Sequence, residues 1–407
     1  MTKPVWLGAV TVLALCTLMS LISYGTRQSF GLFLIPISAD IAGGRFEPFS
    51  FAVALQTVVI GLSVPFVAIM ADRWFGPVRI LMTGGALYTL GMVLLAFSTT
   101  ELEMTLSVGV LSGLAASGCG LPLVLSVVAR VAPEKHRSLW LGIVSAGGTG
   151  GQMFLVPFNA QMLKVMDWTN AILVLAAIIF CIVPMAMVIG RAGKKSLGQK
   201  KETRSLGETL REARSHRGYW LLCLGFFACG FQVQFVVTHL PNYLSDMGTG
   251  FTLGAEAIAL IGLFNVIGTA IAGKLGGHFQ KKNLLSLLYL GRSLIILIFF
   301  LSPISQMSVY IFAGCIGLLW LATVPLTAGL VSHFFGPRYM ATLYSFAFLS
   351  HQVGGFISVW MAGRLRDATG SYDSWWWVII TVGGIAALLH WPIDESVTAR
   401  PVEETSS

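Results

Sequence analysis

The stretch RAGKKSLGQKKETRSLGETLREARSHRG, residues 191–218, separates two long apolar parts of the 407-residue chain. It is the only long hydrophilic segment, and nine of the 26 lysines and arginines lie between Arg191 and Arg217. Its second part has the spacing of an amphipathic helix, which favours a position along a membrane surface. We therefore interpret the stretch as a linker between two membrane-embedded blocks.

Apolar runs long enough to cross a bilayer lie on both sides of this linker. A spanning helix needs about 20 largely apolar residues, and six such runs precede the linker and six follow it. They cover residues 6–36, 48–72, 79–99, 104–131, 138–163, 168–190, 219–246, 256–279, 283–303, 308–335, 339–365 and 374–392. Only 11% of the residues are charged, against about 25% in soluble domains. The sequence predicts an all-α integral membrane protein with twelve transmembrane helices.

The linker also gives the expected domain organisation. We expect an N-terminal six-helix half at 1–190, a cytoplasmic basic linker at 191–217, a C-terminal six-helix half at 218–393 and a cytoplasmic tail at 394–407. The halves repeat weakly at an offset of about 205 residues, since Asp40 matches Asp246 and Gln28 then falls over Gln234. Such weak internal symmetry is typical of transporters built from structural repeats.

The net charge of +8 is distributed by side of the membrane and not gathered in one patch. Of the 26 basic residues, 20 lie on the side of the N-terminus, four on the opposite side and two inside helices. Loops rich in Lys and Arg stay in the cytoplasm, so both termini and the linker are expected there, in a multi-pass protein of the cytoplasmic (inner) membrane. The basic excess is thus a topology signal, and no nucleic-acid partner is expected.

The six cysteines all fall inside the apolar runs, where a thiol behaves as a small apolar packing group. Cys223 and Cys229 share a helix, but at six residues apart they lie on different faces, which disfavours a soft-metal site. No disulfide, metal or cofactor is expected.

The segment AIMADRWFGPVR, residues 68–79, resembles the signature loop of the major facilitator superfamily between helices 2 and 3. Asp72, Arg73, Gly76 and Arg79 match that pattern, whereas Ala68 stands where a glycine is usual. The resemblance extends over nearly the whole chain and implies the major facilitator fold, with two pseudo-symmetric halves. It also implies that Asp72, Arg73 and Arg79 form a cytoplasmic latch. In the second-half copy, GKLGGHFQKK, a glycine stands where the acid would be.

A narrower resemblance points to carboxylate transport. The stretch RSLWLGIVSAGGTGG (Arg137–Gly151) is similar to the helix 5 motif of monocarboxylate transporters. Two further stretches are similar to bacterial members of the monocarboxylate and oxalate–formate branches: RQSFGLF in helix 1 and GRLRDATGSYDSWWW after helix 11. Asn265 and Thr269 stand where monocarboxylate transporters carry an acid and an arginine in helix 8, so the substrate chemistry of that family does not transfer directly.

Two arginines, Arg27 and Arg292, lie inside predicted helices, whereas all eighteen acids lie in loops or at helix ends. Embedding such a charge costs at least about 2.5–3.5 kcal/mol, so each arginine should meet a wet cavity or a partner. Without a buried acid, the missing counter-ion could be the substrate, which favours a small organic anion. For Arg27 the alternatives are an outer gate or carbonyl contacts; for Arg292 the alternative is a structural bond to neighbouring carbonyls.

The helices that line the central pathway in that superfamily also contain most of the buried amides and imidazoles. His239 and His351 are the candidates for a proton carrier, because histidine titrates near neutral pH. The other candidate substrate contacts are Tyr24, Gln28, Gln56, Gln152, Gln234, Asn265 and Gln352, with His351 again among them. Each amide could instead hold helices together, at about 0.6 kcal/mol per bond.

The sequence predicts a secondary transporter that works by alternating access and binds a small organic anion, a monocarboxylate, near the middle of the membrane. Either a proton or a counter-anion would be its coupling partner, membrane lipid would surround it, and a monomer is expected. The alternative is an exporter of drugs or other amphipathic compounds. An enzyme is disfavoured because no nucleophile–base or metal constellation is found.

Trp375, Trp376 and Trp377 are expected in an interfacial aromatic belt.

Overall fold

The computed structural model describes residues 5–132, 137–192, 206–335 and 340–395, and these ranges contain helices and no strand. The helices are α1 (Val5–Gln28), α2 (Phe30–Ile41), α3 (Glu47–Met70), α4 (Pro77–Ala96), α5 (Glu101–Met104), α6 (Ser112–Cys119), α7 (Leu121–Val131), α8 (Arg137–Val165), α9 (Trp168–Phe180), α10 (Ile182–Ala192), α11 (Leu206–Ser215), α12 (Arg217–Asp246), α13 (Phe251–Leu275), α14 (Lys281–Leu301), α15 (Gln306–Leu319), α16 (Thr323–Phe335), α17 (Met340–Thr369) and α18 (Asp373–His390). Two π-helical segments, Ala71–Phe75 and Thr105–Leu111, follow α3 and α5.

These helices make the twelve predicted crossings. Within the described ranges, nine helical segments are long and apolar enough to span a bilayer. The remaining crossings are made by α8, α17 and α18, which contain 29, 30 and 18 residues. Helix α8 packs on α1 and α13, α17 packs on α12 and α3, and α18 packs on α14 and α12. The all-helical fold class predicted from the apolar runs is confirmed.

The crossings alternate in direction, which defines two faces of the molecule. We call the face at which α1 and α12 begin the near face, and the opposite one the far face. Helices α1–α10 form the N-terminal half and α12–α18 the C-terminal half. Between the halves α3 packs along α17, α8 along α13, and α2 against α12. Residues 231–244 of α12 are all buried, so this helix lies at the centre of the molecule.

The first crossing is broken where the sequence predicts one continuous helix. Helix α1 ends at Gln28 and α2 begins at Phe30. At the break, Ser29 N donates to Thr26 O at 3.1 Å and Ser29 Oγ donates to Gly25 O at 2.9 Å. The serine thus satisfies main-chain groups that could find no water at this depth. Other crossings are interrupted too: the fourth at Gly120 between α6 and α7, the sixth at Cys181 between α9 and α10, and the tenth between α15 and α16.

Helices α1 and α8 cross at two facing glycines. A β-carbon built on Gly151 would lie 2.1 Å from Leu21 O, and one built on Gly25 would lie 2.5 Å from Gly151 O. No side chain larger than hydrogen fits at such a distance, so these glycines permit the backbones to touch. The crossing brings together the residues that follow in each helix, Gln28 and Gln152.

The linker contains the predicted helix in its second part. Helix α11 ends at Ser215, two residues before α12 begins, and residues 193–205 lie outside the described residues. Trp220 Nε1 in the first turn of α12 donates to Arg214 O at 2.9 Å. This bond ties the linker helix to the near end of the most buried crossing.

The predicted aromatic belt at Trp375–Trp377 is wrong for two of its three members, because Trp375 and Trp376 are both buried. Trp376 is fully buried, with its ring 4.9 Å from the ring of Phe235 and 5.2 Å from that of Tyr243. Trp377 is exposed. Successive helical residues point about 100° apart, so three consecutive tryptophans cannot all face the lipid.

Candidate functional site

Arg27 lies in the last turn of α1, toward the far face, and is half-buried. Its Nη2 donates to Thr57 Oγ1 on α3 at 3.2 Å. That hydroxyl donates in turn to Val53 O at 3.1 Å. Among the described side chains, no carboxylate forms an ion pair with Arg27. The guanidinium carries five N–H donors, so this hydroxyl satisfies a small part of its capacity.

A chain of amides runs beside Arg27. Gln28 Nε2 donates to Tyr24 OH at 3.1 Å and to Gln152 Oε1 at 3.2 Å. Gln152 Nε2 donates across to Ile258 O on α13, at 2.9 Å. Because the phenolic oxygen of Tyr24 accepts from Gln28, its own proton remains available to another acceptor. The structure thus brings the predicted residues Tyr24, Gln28 and Gln152 together on one side of Arg27.

Two more amides cross between the halves close to Arg27. Gln352 Nε2 on α17 donates to Thr57 O at 3.0 Å. Asn242 Nδ2 on α12 donates to Gly31 O, one turn after Arg27, at 3.1 Å. With Gln152, these bonds join the two halves around the Arg27 side chain. The predicted site therefore lies at the contact between the halves, toward the far face.

Gln234 and Gln56 lie near this region without completing it. Gln234 is almost fully buried on α12, and its side chain packs against Gly355 of α17. Gln56 is fully buried on α3, and neither its oxygen nor its nitrogen has a described hydrogen-bond partner. Unpaired buried amide groups of this kind commonly hold internal water.

Arg292 and Asn265 lie together at another place, the α15–α16 break. Arg292 is 1% exposed, and its guanidinium donates to Leu319 O at 2.9 and 2.7 Å, to Trp320 O, and to Cys229 Sγ at 3.3 Å. Asn265 Oδ1 accepts from Leu321 N at 3.0 Å. Thr269 Oγ1 donates to the same Asn265 oxygen, also at 3.0 Å. These residues satisfy the main-chain groups that the break leaves unpaired.

The two candidate histidines have different surroundings. His239 is fully buried, with Nδ1 at 3.0 Å from Tyr372 OH and Nε2 at 3.0 Å from Val359 O. Since a carbonyl can only accept, Nε2 carries the proton and Nδ1 accepts from the tyrosine. His351 is 6% exposed, and its Nδ1 has no described partner.

The ring of His351 lies between aromatic side chains, with centroids 4.9 Å from Phe226 and 5.7 Å from Phe348. It also lies beside the Cys229 thiol.

The predicted latch is described only in part. Asp72 and Arg73 lie in the π-helical segment Ala71–Phe75, and their side chains lie outside the described residues. Arg79 is exposed in the first turn of α4, on the near face. Their joint role stays a prediction.

An apolar groove of about 430 Å³ lies on the near-face side of the Arg27 region. It is lined by Val10, Leu13, Ala14, Thr17, Leu18 and Ile143. Five of these belong to α1 and one to α8, so the groove follows the same helix pair that crosses at Gly25 and Gly151.

Two residues of this region were missed by the sequence reasoning, Thr57 and Asn242. Threonine is common in apolar runs, and nothing in the sequence distinguishes Thr57. Asn242 could have been found, because it is an amide inside an apolar run, one helical turn after His239.

Comparison with known proteins gives the same fold. A family model described as Major Facilitator Superfamily matches residues 13–359. The uncharacterized MFS-type transporter YcxA of Bacillus subtilis (strain 168) is 26% identical over 380 residues, covering 89% of this chain and 90% of that protein. Monocarboxylate transporter 13 of Rattus norvegicus is 24% identical over 369 residues, covering 87% of this chain and 82% of that protein.

Solved structures of transporters are similar over nearly the full length. A bacterial homolog of the human lysosomal transporter Spinster, inward-facing and occupied, has a TM-score of 0.77 at 15% identity, covering 99% of this chain and 100% of that one. The D-xylose-proton symporter has a TM-score of 0.73 at 14% identity, covering 96% and 99%. At these identities the likeness shows the fold alone. The family match extends over most of the chain and identifies a membrane transporter, not an enzyme: the chain belongs to the major facilitator superfamily.

Proposed function

We propose that this transporter moves a small organic anion, a monocarboxylate, by alternating access between its two halves. The observation that carries the proposal is the half-buried guanidinium of Arg27, whose described partner is the hydroxyl of Thr57. An embedded arginine costs at least about 2.5–3.5 kcal/mol. A carboxylate bound there would supply the missing counter-charge.

The donors around Arg27 suit one carboxylate. Tyr24 and Arg27 are three residues apart and share a face of α1. A guanidinium binds a carboxylate through two parallel N–H donors, and the available proton of Tyr24 adds a third. Gln28 and Gln152 hold Tyr24 in place, while Gln352 lies next to Thr57, and Gln56 and Gln234 lie nearby. The crowding of this region by both halves favours a small substrate.

We assign Arg292 and Asn265 to the structure of the tenth crossing. Their polar atoms are directed to the main chain of the α15–α16 break. Neither needs a substrate to be satisfied.

For proton coupling we favour His351 over His239. A proton carrier needs a ring nitrogen that is not committed to a structural bond, and Nδ1 of His351 has that property among the described residues. Both nitrogens of His239 have partners. Exchange against a counter-anion would need neither histidine.

The orientation and the latch belong to the same proposal. We take the near face as cytoplasmic, because 20 of the 26 basic residues lie there and basic loops stay inside. Both termini and the 191–217 linker would then be cytoplasmic, in the inner membrane, between halves at 1–190 and 218–393. Asp72, Arg73 and Arg79 would close the near face in the opposite conformation.

A second candidate function is the export of amphipathic compounds. The 430 Å³ groove along α1 favours it, because its lining is apolar except for Thr17. An apolar compound would bind there without contact to Arg27.

One experiment separates the two. Thermal unfolding of the purified protein is measured against a panel of small mono- and dicarboxylates and a panel of amphipathic cations. A ligand at 100 times its Kd stabilises the folded state by about 2.7 kcal/mol. We expect a monocarboxylate to raise the Tm of the wild type and to leave Arg27→Gln unchanged.

The matched control is Arg364→Gln, which removes an exposed arginine of α17 at the far face. It should keep the wild-type response. If no carboxylate shifts the wild-type Tm while amphipathic cations do, the anion proposal is wrong and the export function replaces it.

A further inference from the structure

A carboxylate of one half caps a helix of the other half near the far face. Asp367 lies in the last turn of α17. Its Oδ1 accepts from Phe46 N at 2.9 Å and its Oδ2 from Glu47 N at 2.7 Å, at the start of α3. Both oxygens of one side chain thus bind consecutive main-chain donors across the interface.

Helix α3 has no such cap of its own. Its N-cap residue, Phe46, offers no side-chain acceptor, and Pro48 follows in the first turn. The first N–H groups of a helix have no partner within it and carry partial positive charge. A carboxylate placed there makes charge-assisted hydrogen bonds and interacts favourably with the helix dipole. The missing cap of the N-terminal half is therefore supplied by the C-terminal half.

Neighbouring contacts hold the end of α17 in position for this bond. Arg366 pairs with Asp246 at the end of α12, with N–O distances of 3.2 and 3.3 Å. Its guanidinium carbon lies 4.8 Å from the centre of the Phe46 ring, across the interface. Trp360 Nε1 donates to Glu47 Oε1 at 2.9 Å, again between the halves.

The α3–α17 pair is closed at this end and not at the other. In the far part of α3, Pro48, Phe49 and Ser50 are buried. In its near part, residues 62–70 are exposed or half-buried, and Phe66 is 67% exposed. Alternating access requires the closed end to open in turn. Opening the far face must break the bonds of Asp367 and leave the start of α3 uncapped.

We propose that Asp367 is the positioning residue that holds the far face closed, and that it sets the balance between the far-closed and far-open conformations. The inference needs only the transporter fold and does not depend on which substrate is carried. Loss of a helix cap typically costs about 1 kcal/mol, and 1.4 kcal/mol is a tenfold change in an equilibrium. Removing the carboxylate should therefore raise the far-open to far-closed ratio by about five- to tenfold.

The test measures the distance between the halves at the far face. Nitroxide labels are placed on Leu102→Cys in the N-terminal half and Met247→Cys in the C-terminal half, which are 68% and 47% exposed. The exposed Cys181 and Cys315 are changed to serine. Pulsed electron resonance on the full chain in lipid nanodiscs then gives the distance distribution. We expect Asp367→Ala to add a longer-distance population that is small in the parent protein.

The companion variants separate a gate from a general loss of structure. Asp367→Asn keeps the size of the side chain and should give a smaller shift than Asp367→Ala, and Asp367→Glu should restore the parent distribution. Asp373→Asn removes another far-face carboxylate. Asp373 is the first residue of α18 and has no role between the halves, so this variant should leave the distances unchanged. An unaltered distribution in both Asp367→Ala and Asp367→Asn would overturn the proposal, as would an equal shift in Asp373→Asn.

Discussion

Arg27 and Arg292 are alike in sequence, each a single arginine in an apolar helix, but their surroundings differ. Arg292 donates to two carbonyls and a thiol at a helix break, and its guanidinium lies 5.4 Å from the centre of the Tyr289 ring. A cation at the carbonyl end of a helix is favourable in itself. Arg27 has a hydroxyl as its described partner. The difference comes from what the neighbouring helices present to each arginine.

The two buried histidines give a prediction at this scale. His239→Gln should lower the Tm, because it leaves Tyr372 OH and Val359 O without their partner, and an unsatisfied buried group costs about 1–3 kcal/mol. His351→Gln should lower the Tm less, since it removes ring contacts with Phe226 and Phe348 but no bond to a main-chain carbonyl, and it should abolish the response of transport to an imposed proton gradient. Transport into proteoliposomes with and without the gradient, together with thermal unfolding, checks both. A gradient response that survives in His351→Gln would exclude it as the carrier.

His216 gives a pH prediction outside the membrane spans. Burial lowers the pKa of its imidazole below the ordinary value, and its Nδ1 accepts from Tyr219 N at 3.1 Å as the cap of α12. The neutral form is thus favoured in the folded protein. As the pH falls below about 6.5 the unfolded chain binds the proton more readily. The stabilisation present above that pH is therefore lost on acidification.

Thermal unfolding between about pH 7 and pH 5 measures this effect. His216→Asn retains a cap acceptor that does not titrate, so the decline of its Tm toward low pH should be shallower than that of the wild type. His278→Asn, at an exposed histidine of the same face, should decline as the wild type does. Parallel curves for His216→Asn and the wild type would exclude this role for His216.

At the scale of elements, the crossing of α1 and α8 decides where the site forms. The glycine-rich sequence of α8 predicts close packing, but it does not tell which glycine meets which helix. In the structure Gly151 touches the backbone at Leu21 and Gly25. A β-carbon built on the neighbouring Gly150 would meet no atom of another helix within 4 Å. Only one of two adjacent glycines is therefore required by the crossing.

These adjacent glycines give a matched pair of variants. Gly151→Ala places a methyl group against the backbone of α1 and should lower the unfolding free energy by about 1–3 kcal/mol. Gly150→Ala meets no neighbour and should be neutral or stabilising, since alanine favours a helix interior by up to about 1 kcal/mol over glycine. Thermal unfolding of both variants in one detergent measures the difference. Equal Tm values would contradict the crossing geometry.

The number of crossings and their helical character could be predicted from the sequence, because the length of an apolar run is fixed by the thickness of the bilayer. The break at Ser29 could not, since residues 6–36 form one run long enough to cross the bilayer, and polar residues such as Arg27 and Gln28 do not by themselves end a helix. The partners of Arg292 could not be predicted either, because they are carbonyls freed by the α15–α16 break, and the break contains no glycine that would mark it. The one sequence signal for this break is Pro325 in the first turn of α16, where proline is tolerated.

The contacts between the halves could not be predicted from the sequence either, for a different reason. They join residues up to 321 positions apart, as Phe46 and Asp367 are. A local pattern cannot specify a pair at that separation. The weak repeat of the halves aligns Gln28 with Gln234 but does not show which residues touch. In the sequence Asp367 is therefore indistinguishable from the other seventeen acidic residues. Only the fold shows that its carboxylate lies at the start of α3.

At the scale of the whole molecule, two bonds report whether the halves move as rigid bodies. Gln352 and Asp367 both lie on α17 and both contact the α3 side of the interface. Fifteen residues of helix separate them, about 22 Å. Effects at sites so far apart usually add within about 0.3–0.5 kcal/mol. If the halves rock rigidly, one opening motion breaks both bonds.

Rigid rocking thus predicts that Gln352→Leu and Asp367→Asn each raise the far-open population and that their free energies add in the double variant. If α3 instead bends locally, the loss of one of these two bonds already releases the far part of α3 from α17. The second change then adds little, because its bond is no longer intact in the far-closed state. The distance between labels at Leu102→Cys and Met247→Cys gives the population ratio for both single variants and the double. An interaction energy above about 0.5 kcal/mol would favour bending of α3 over rigid motion of the halves.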